Sequence, residues 1–533
     1  MKTIAPSTQL PNPQGVRWIL LGIISLALVI HLWGIQKNLP YIAEADESIF
    51  VERAVKMAAS GNLDPAWFGN PGSTIFYPLA FLYHAWYAVT QYGMFFRPDP
   101  NLQVKFSTSF WEFYLLGRLL SVAYTILSIP LIYLIGKRTF GGRVGLAGAW
   151  LFVFYTLAIY HAQMVRTDSV ALFWTLASLW YCLRISAKPT RNNHLLAGLA
   201  IGLGIASRYF LVTLVPILLI IDSFMLWQQA PPFPKKQLWV YLALGLFSIG
   251  AAFAFTTPYF FLDFKTALEN IRFEARSTHL GADGLSPLGN FVWYVTNAIP
   301  TAISWPQTIL AMVGGALIYI NRQLKPMVLL TFGTIFLMGI SLSPLHWARW
   351  IIQVLPLLAL FAAYGLDALL SRLSQSLNLN LKTQQILMLL GLLLLSTWPA
   401  YQSVLLGLTQ ANPGTRILAR AWVLENLPAQ SHIAQESYTA PLTGTNYVVL
   451  ERFSLAEDPS LQQYYRAGYH YLLVSNSIYD RYFAEPSRYA AQVDFYHTLF
   501  TTGKLLQKFI PSPTRGGPII QVYELQNPKQ TDQ

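Results

Sequence analysis

Residues 144–184 read VGLAGAWLFVFYTLAIYHAQMVRTDSVALFWTLASLWYCLR. Two apolar runs, each close to the length that crosses about 30 Å of hydrocarbon, flank a polar turn of only a few residues. So short a turn pins His161, Arg166 and Asp168 at the membrane face, where ionisable groups are costly and are functional candidates by default. The plainer alternative is a mutual Arg166–Asp168 or His161–Asp168 pair that only terminates the helices. The loop before this stretch carries Lys137, Arg138 and Arg143, and the loop after it carries Arg184, Lys188 and Arg191, with no acid in either. The positive-inside rule puts those two loops in the cytoplasm and the turn outside.

The same pattern extends in both directions. Apolar runs long enough to span lie near 17–36, 116–136, 143–161, 169–186, 194–210, 211–228, 238–257, 304–321, 326–343, 348–371 and 385–405. Lys235 and Lys236, then Arg322 and Lys325, then Arg372 and Lys382 continue the basic, acid-free inner loops. With Lys2 and Arg17 also inside, alternation closes if residues 76–96 do not span. Pro78, His84, Gln91 and several tyrosines mark that stretch as a helix lying in the interface. The outer segments are then 37–115, 162–168, 258–303, 344–347 and everything after about 406, and the acids concentrate there. The run after Arg17 lacks a small-residue cleavage site and reads as an uncleaved first span.

Composition agrees. The chain is 54% hydrophobic and only 11% charged, against about 25% charged in a soluble domain, so much of its surface must face lipid. The net charge of +12 is scattered through short loops, which is membrane topology and not a phosphate-tracking groove; no nucleic-acid partner is expected. Cys182, the single cysteine, rules out an intramolecular disulfide and a thiolate metal cluster. The expected fold is mainly α: a polytopic bundle of about eleven spans with extracytoplasmic juxtamembrane helices over 1–410. A small soluble α/β domain follows over 411–533, with a helix at 416–426, a strand at 469–475, a helix at 477–493 and a strand at 519–525.

The chemistry-bearing residues gather on the outer side. Glu44, Asp46 and Glu47 follow the first span; they either cap the next helix or supply a general base whose pKa is raised by low-dielectric surroundings. Arg118 opens the second long run, Arg208 closes the fifth, and His346 and Arg349 precede a late one. Snorkelling accounts for any one of these cations, but several beside carboxylates suit an anionic headgroup. Glu274 and His279 could take a metal or a polar substrate, and most such pairs bind nothing. No phosphate-binding loop, dinucleotide fingerprint, HExxH or GxSxG is present, and no matched pair of broken helices suggests a secondary transporter.

The order of these features resembles the GT-C glycosyltransferases that use lipid-linked sugars, especially the family 39 protein O-mannosyltransferases and the aminoarabinose transferases acting on lipid A. The likeness covers residues 15–405. It is carried by Asp46-Glu47 opening a helix, Asn70-Pro71, Phe76-Tyr77-Pro78-Leu79, Arg118-Leu119 and the short turn ending in Asp168. Residues 422–428 and 468–474 resemble the extracytoplasmic domains of bacterial homologues. The resemblance implies Asp46 as catalytic base, Glu47 as loop support and Asp168 as the second carboxylate, shaping the acceptor site. It implies Arg208 and Arg349, with Arg118 and His346, at the donor phosphate, and His161, Arg166, Glu274 and His279 as acceptor or loop support. A lysine common beside proline in the first loop of the aminoarabinose transferases is replaced by Asn70, and the Glu274–His279 spacing differs from theirs. The implied reaction moves a sugar from a polyprenyl-phosphate donor to a protein, lipid or glycan hydroxyl, with inversion. It needs no nucleotide and no metal to hold a diphosphate, so no cofactor is expected and a divalent metal is left open. The implied location is the inner membrane, with the N-terminus cytoplasmic and the C-terminal domain extracytoplasmic. The alternative is a transporter or flippase of a lipid-linked sugar.

Overall fold

The computed structural model describes residues 13–41, 44–90, 98–227, 234–457 and 460–526. The chain divides into two compact units: residues 1–32, 46–278 and 283–404 form the first, and 33–45, 279–282 and 405–533 the second.

The first unit is helical, and each of the eleven apolar runs falls on a helix. Among the described residues, seven helices are by themselves long and apolar enough to cross a membrane, and up to nine spans result if each of two bent pairs counts as one. The bent pairs are Gly142–Phe152 with Thr156–Ala162, at 64°, and Pro287–Ile303 with Trp305–Asn321, at 120°. The second turns at Ser304, which takes a left-handed φ of 80°. The two remaining runs lie on Thr167–Ile185 and Arg191–Ser207, where most residues are buried in protein. A helix sheathed by its neighbours need not be apolar on every face, so hydropathy understates it. Ser73–Thr90 is a separate helix with Pro78 inside it and is not among the candidate spans; residues 91–97 of the expected interfacial stretch lie outside the described residues.

Glycine lets the bundle close at the end of the long helix away from Arg118. A Cβ on Gly136 would come within 2.6 Å of Gly145 Cα, so the helices Asn101–Thr139 and Gly142–Phe152 meet backbone to backbone, as small residues allow in membranes.

The second unit is a five-stranded sheet in the order β2-β1-β3-β5-β4. β1 (His432–Glu436) runs parallel to β2 (Val448–Arg452) and to β3 (Tyr471–Ser475), while β5 (Ile520–Glu524) is antiparallel to β3 and to β4 (Lys504–Phe509). Helix Thr415–Asn426 covers one face, on Ile433, Leu473 and Val522; Asn476–Phe483 and Ala490–Thr502 cover the other, on Ala434, Leu472 and Val474. The sheet therefore has five strands where two were read, because β1, β2 and β4 are too short and mixed to show an alternation. The single helix expected over 477–493 is two, broken around Pro486, which cannot donate to a continuing helix.

The end of β1 carries a fully buried carboxylate. Glu436 accepts from Ser475 N–H at 2.9 Å, from Leu455 N–H at 3.2 Å and from Tyr496 O–H. It thus ties β1 to the end of β3 and to the turn after β2. Burial pushes its pKa up to about 7 against these hydrogen bonds, from 4.5 for an unburied glutamate. The folded form then holds a proton more tightly than the unfolded form, so the stability of this unit falls as pH rises from 4.5 to 7. Glu436→Gln is expected to flatten that dependence in thermal melts of the full chain at pH 5 and 7.5. Glu436→Ala strands two buried N–H groups and should cost about 3 kcal/mol at both values.

Candidate active site

Helix Ala45–Ser60 starts with Asp46 and Glu47 in its first turn, where acids are favoured by the helix dipole. Successive helical residues point about 100° apart, and the two acids have different fates. Glu47 is 1% exposed and takes a bidentate pair from Arg118, Nε at 2.9 Å and Nη2 at 2.6 Å. Its Oε1 also accepts from Val165 N–H at 2.9 Å. Glu47 thus ties the segment that follows the first long helix to helix Asn101–Thr139 and to the turn at 163–168. Asp46, next to it, keeps 52% of its side chain exposed.

Three arginines meet Asp46 and Asp168. Arg166 lies between the carboxylates, in contact with Asp46 Oδ2 and with Nε 3.3 Å from Asp168 Oδ2. Arg208 Nη1 is 2.9 Å from Asp168 Oδ1, and its Nε donates to Thr167 Oγ1 at 3.2 Å. Arg349 Nη1 stands 3.8 Å from Asp46 Oδ2, with its guanidinium stacked 4.6 Å over the Trp347 ring. Asp168 is fully buried and Arg166 and Arg208 nearly so. His161 lies within electrostatic reach of Asp168 and all three arginines. Three guanidiniums face two carboxylates, which leaves one positive charge in excess beside the exposed carboxylate. In low dielectric such an excess attracts an anion.

The electrostatics correct one expectation. Burial pushes Asp46 up, but Arg166 and Arg349 outweigh it and hold the carboxyl below its usual range. Asp46 is a permanently ionised carboxylate at neutral pH, not one raised toward working pH.

Not every candidate joins this cluster. Arg118 is committed to Glu47 and is not placed as a phosphate ligand. His346 lies tilted against the Trp293 ring, centroids 4.3 Å apart, and has Asp283 as its charged neighbour. Glu274 is partly exposed, 3.6 Å from Arg276, and packs against Gly69; His279 belongs to the second unit. Among the described residues no three of His, Cys, Asp and Glu come together as a metal site. Trp347 was not singled out from the sequence, since an aromatic near a span end is ordinary belt composition.

The two acids should respond differently to substitution. Glu47→Ala leaves Arg118 buried without its carboxylate and is expected to cost about 3–5 kcal/mol, seen as a lower Tm and poor recovery in detergent. Asp46→Asn, at a half-exposed position, should melt within a few degrees of wild type.

A family model described as dolichyl-phosphate-mannose-protein mannosyltransferase matches residues 108–254. The undecaprenyl phosphate-alpha-4-amino-4-deoxy-L-arabinose arabinosyl transferase of Pseudomonas aeruginosa is 34% identical over 117 residues, 21% of this chain and 21% of that protein. Its counterpart in Pseudomonas fluorescens is 29% identical over 136 residues, 24% of each chain. The matched stretch is thus under a quarter of the length of these curated relatives. Over the whole chain the likeness is structural. ArnT from Cupriavidus metallidurans, bound to undecaprenyl phosphate, superposes with a TM-score of 0.53 at 15% identity, covering 96% of this chain and 98% of that one. The oligosaccharyltransferase of Archaeoglobus fulgidus gives 0.52 at 12% identity, covering 98% and 75%. The chain is a multi-pass membrane protein with the GT-C fold that these transferases share.

Proposed function

We propose that this protein is a membrane glycosyltransferase that moves a sugar from a polyprenyl-phosphate donor to an acceptor hydroxyl on the extracytoplasmic face of the inner membrane. One observation carries the reading: among the described residues the cluster has three guanidiniums to two carboxylates, and Arg349 lies 3.8 Å from the half-exposed, ionised Asp46. A glycosyl phosphodiester brings one negative charge, which that excess balances. Asp46 is the acid in the cluster open to an incoming hydroxyl. A cavity of about 340 Å³, lined by Val295, Ile299, Met312, Leu337, Val354 and Phe361 among others, opens five residues along the chain from Arg349. Its apolar lining suits a prenyl tail.

On this reading Arg349, with Arg208 behind it, holds the phosphate. Asp46 takes the proton of the acceptor hydroxyl as its oxygen bonds to the anomeric carbon, and the lipid phosphate leaves with the electron pair of the broken bond. A single displacement inverts the anomeric centre. Asp46 is a weak base while Arg166 and Arg349 both face it. A phosphate seated on Arg349 would cancel one of those cations and raise its basicity only once the donor is bound.

Transport of a lipid-linked sugar is favoured by one observation, the fully buried His194–Asp222 pair at 3.0 Å. It lies about 20 Å along Arg191–Ser207 from Arg208. His194 Nδ1 is also 2.8 Å from the Thr190 carbonyl oxygen, which fits a tie between two helices equally well.

Turnover of polyprenyl-phosphate sugars by protein in detergent or nanodiscs tests the proposal. Asp46→Asn should lose at least ~100-fold in kcat, and Arg349→Gln should weaken donor binding ~10- to 100-fold. Unchanged turnover in Asp46→Asn would remove it as the base. In the pH profile, the acid limb of kcat/KM should fall below pH 3.8, the ordinary aspartate value, and the limb of kcat should lie higher than that of kcat/KM.

A further inference from the structure

A side-chain amide inside a membrane bundle must find hydrogen bonds within the protein, because neither lipid nor apolar side chains replace the water it gave up. Buried Gln307 satisfies both of its amide atoms, and Gln163 its Nε2. Gln307 accepts from Tyr155 O–H at 2.6 Å and donates to the Leu395 carbonyl at 2.9 Å. Gln163 donates to the His31 carbonyl at 2.8 Å. Gln353 satisfies neither: it is 1% exposed, and neither Oε1 nor Nε2 has a hydrogen-bond partner among the described residues.

Its place in the chain gives the anomaly a meaning. Gln353 ends the short 3₁₀ helix Ala348–Gln353, which also carries Arg349. Val354, the next residue, lines the apolar cavity. The same turn packs against Thr156–Ala162 and Thr167–Ile185, the helices that carry His161 and Asp168. Among the described residues, Arg349 Nε and His161 Nδ1 also lack hydrogen-bond partners. Polar atoms without a hydrogen-bond partner thus occur on this turn and on a helix packed against it.

We propose that Gln353 is a donor-binding residue whose amide hydrogen-bonds the glycosyl-phosphate head of a lipid-linked sugar where the head meets its tail. This rests on the transferase reading above. The amide offers what such a head needs: Nε2–H donates to a phosphate oxygen, and Oε1 accepts from a sugar hydroxyl. A hydrocarbon tail could satisfy neither atom. Being neutral, the amide also leaves the single excess positive charge matched to a phosphodiester.

The test compares wild type with Gln353→Leu, Gln353→Glu and Arg349→Gln. Each is measured for heat stability without ligand and for binding of two probes, undecaprenyl phosphate and an undecaprenyl-phosphate sugar. Gln353→Leu should melt at or above the wild-type temperature, since an unpaired amide has gone, yet bind about tenfold more weakly. Gln353→Glu should bind more weakly still, through repulsion of the phosphate. Weakening toward both probes assigns the amide to the phosphate; weakening confined to the glycosylated probe assigns it to the sugar. Wild-type affinity in Gln353→Leu, with Arg349→Gln impaired, would overturn the role of Gln353 and leave the transferase reading standing. Failure of wild type to bind either probe would overturn that reading itself.

Discussion

Arg166 is shared by two carboxylates, and the cluster hangs on that sharing. A charge buried at a membrane face is tolerable only when opposite charge is held against it at short range. Asp168 is fully buried at the start of its helix, and Arg166 and Arg208 supply the compensation from two sides. Arg166 reaches on to Asp46, so the position of the exposed carboxylate is set by the needs of the buried one. Three separate stretches of chain, around 46, 166–168 and 208, are thereby drawn to one place. Arg349 joins from a fourth, and with it the cluster's guanidiniums outnumber its carboxylates by one among the described residues.

The neighbouring residues Asp46 and Glu47 show how the fold separates structural from reactive acid. Glu47 spends both oxygens on Arg118 and Val165, which fixes the helix start and the second turn against each other. Asp46 is then held at a defined place without being enclosed. A half-exposed carboxylate on a rigid support can meet an incoming hydroxyl; a buried and fully bonded one cannot. The same logic distinguishes Gln353 from Gln307. Both are buried amides, but one is satisfied by its surroundings, while the other has no partner among the described residues and directly precedes Val354, which lines the apolar cavity.

Much of this was legible in the chain. The alternation of apolar runs and basic loops put helices where helices are, and the acids at the ends where the cluster forms. Asp46, Asp168, Arg166, Arg208 and Arg349 were all singled out, and they are brought together. Arg118 and His346 were not separable from them by sequence, since a cation at a span end reads the same whether it faces a phosphate, a glutamate or a ring. The strands read from the sequence, β3 and β5, are the buried apolar ones; β2 and β4 are edge strands of mixed, partly exposed residues and β1 is interrupted by Gln435 and Glu436, so they show no clear pattern.

What the sequence determined by itself was the number and place of the apolar runs, the charge bias of the loops between them, and the set of ionisable residues at the run ends. These follow from quantities that add up locally: length, hydropathy and charge bias. What only the tertiary structure decided was the pairing. Glu47 takes Arg118 from 71 residues away, Asp46 is left open with its pKa lowered where a raised one was expected, and Gln353 is buried without a partner. Those outcomes depend on which distant groups arrive within about 4 Å in a low-dielectric interior, where a single ångström changes the energy of a pair, and no local pattern carries that information.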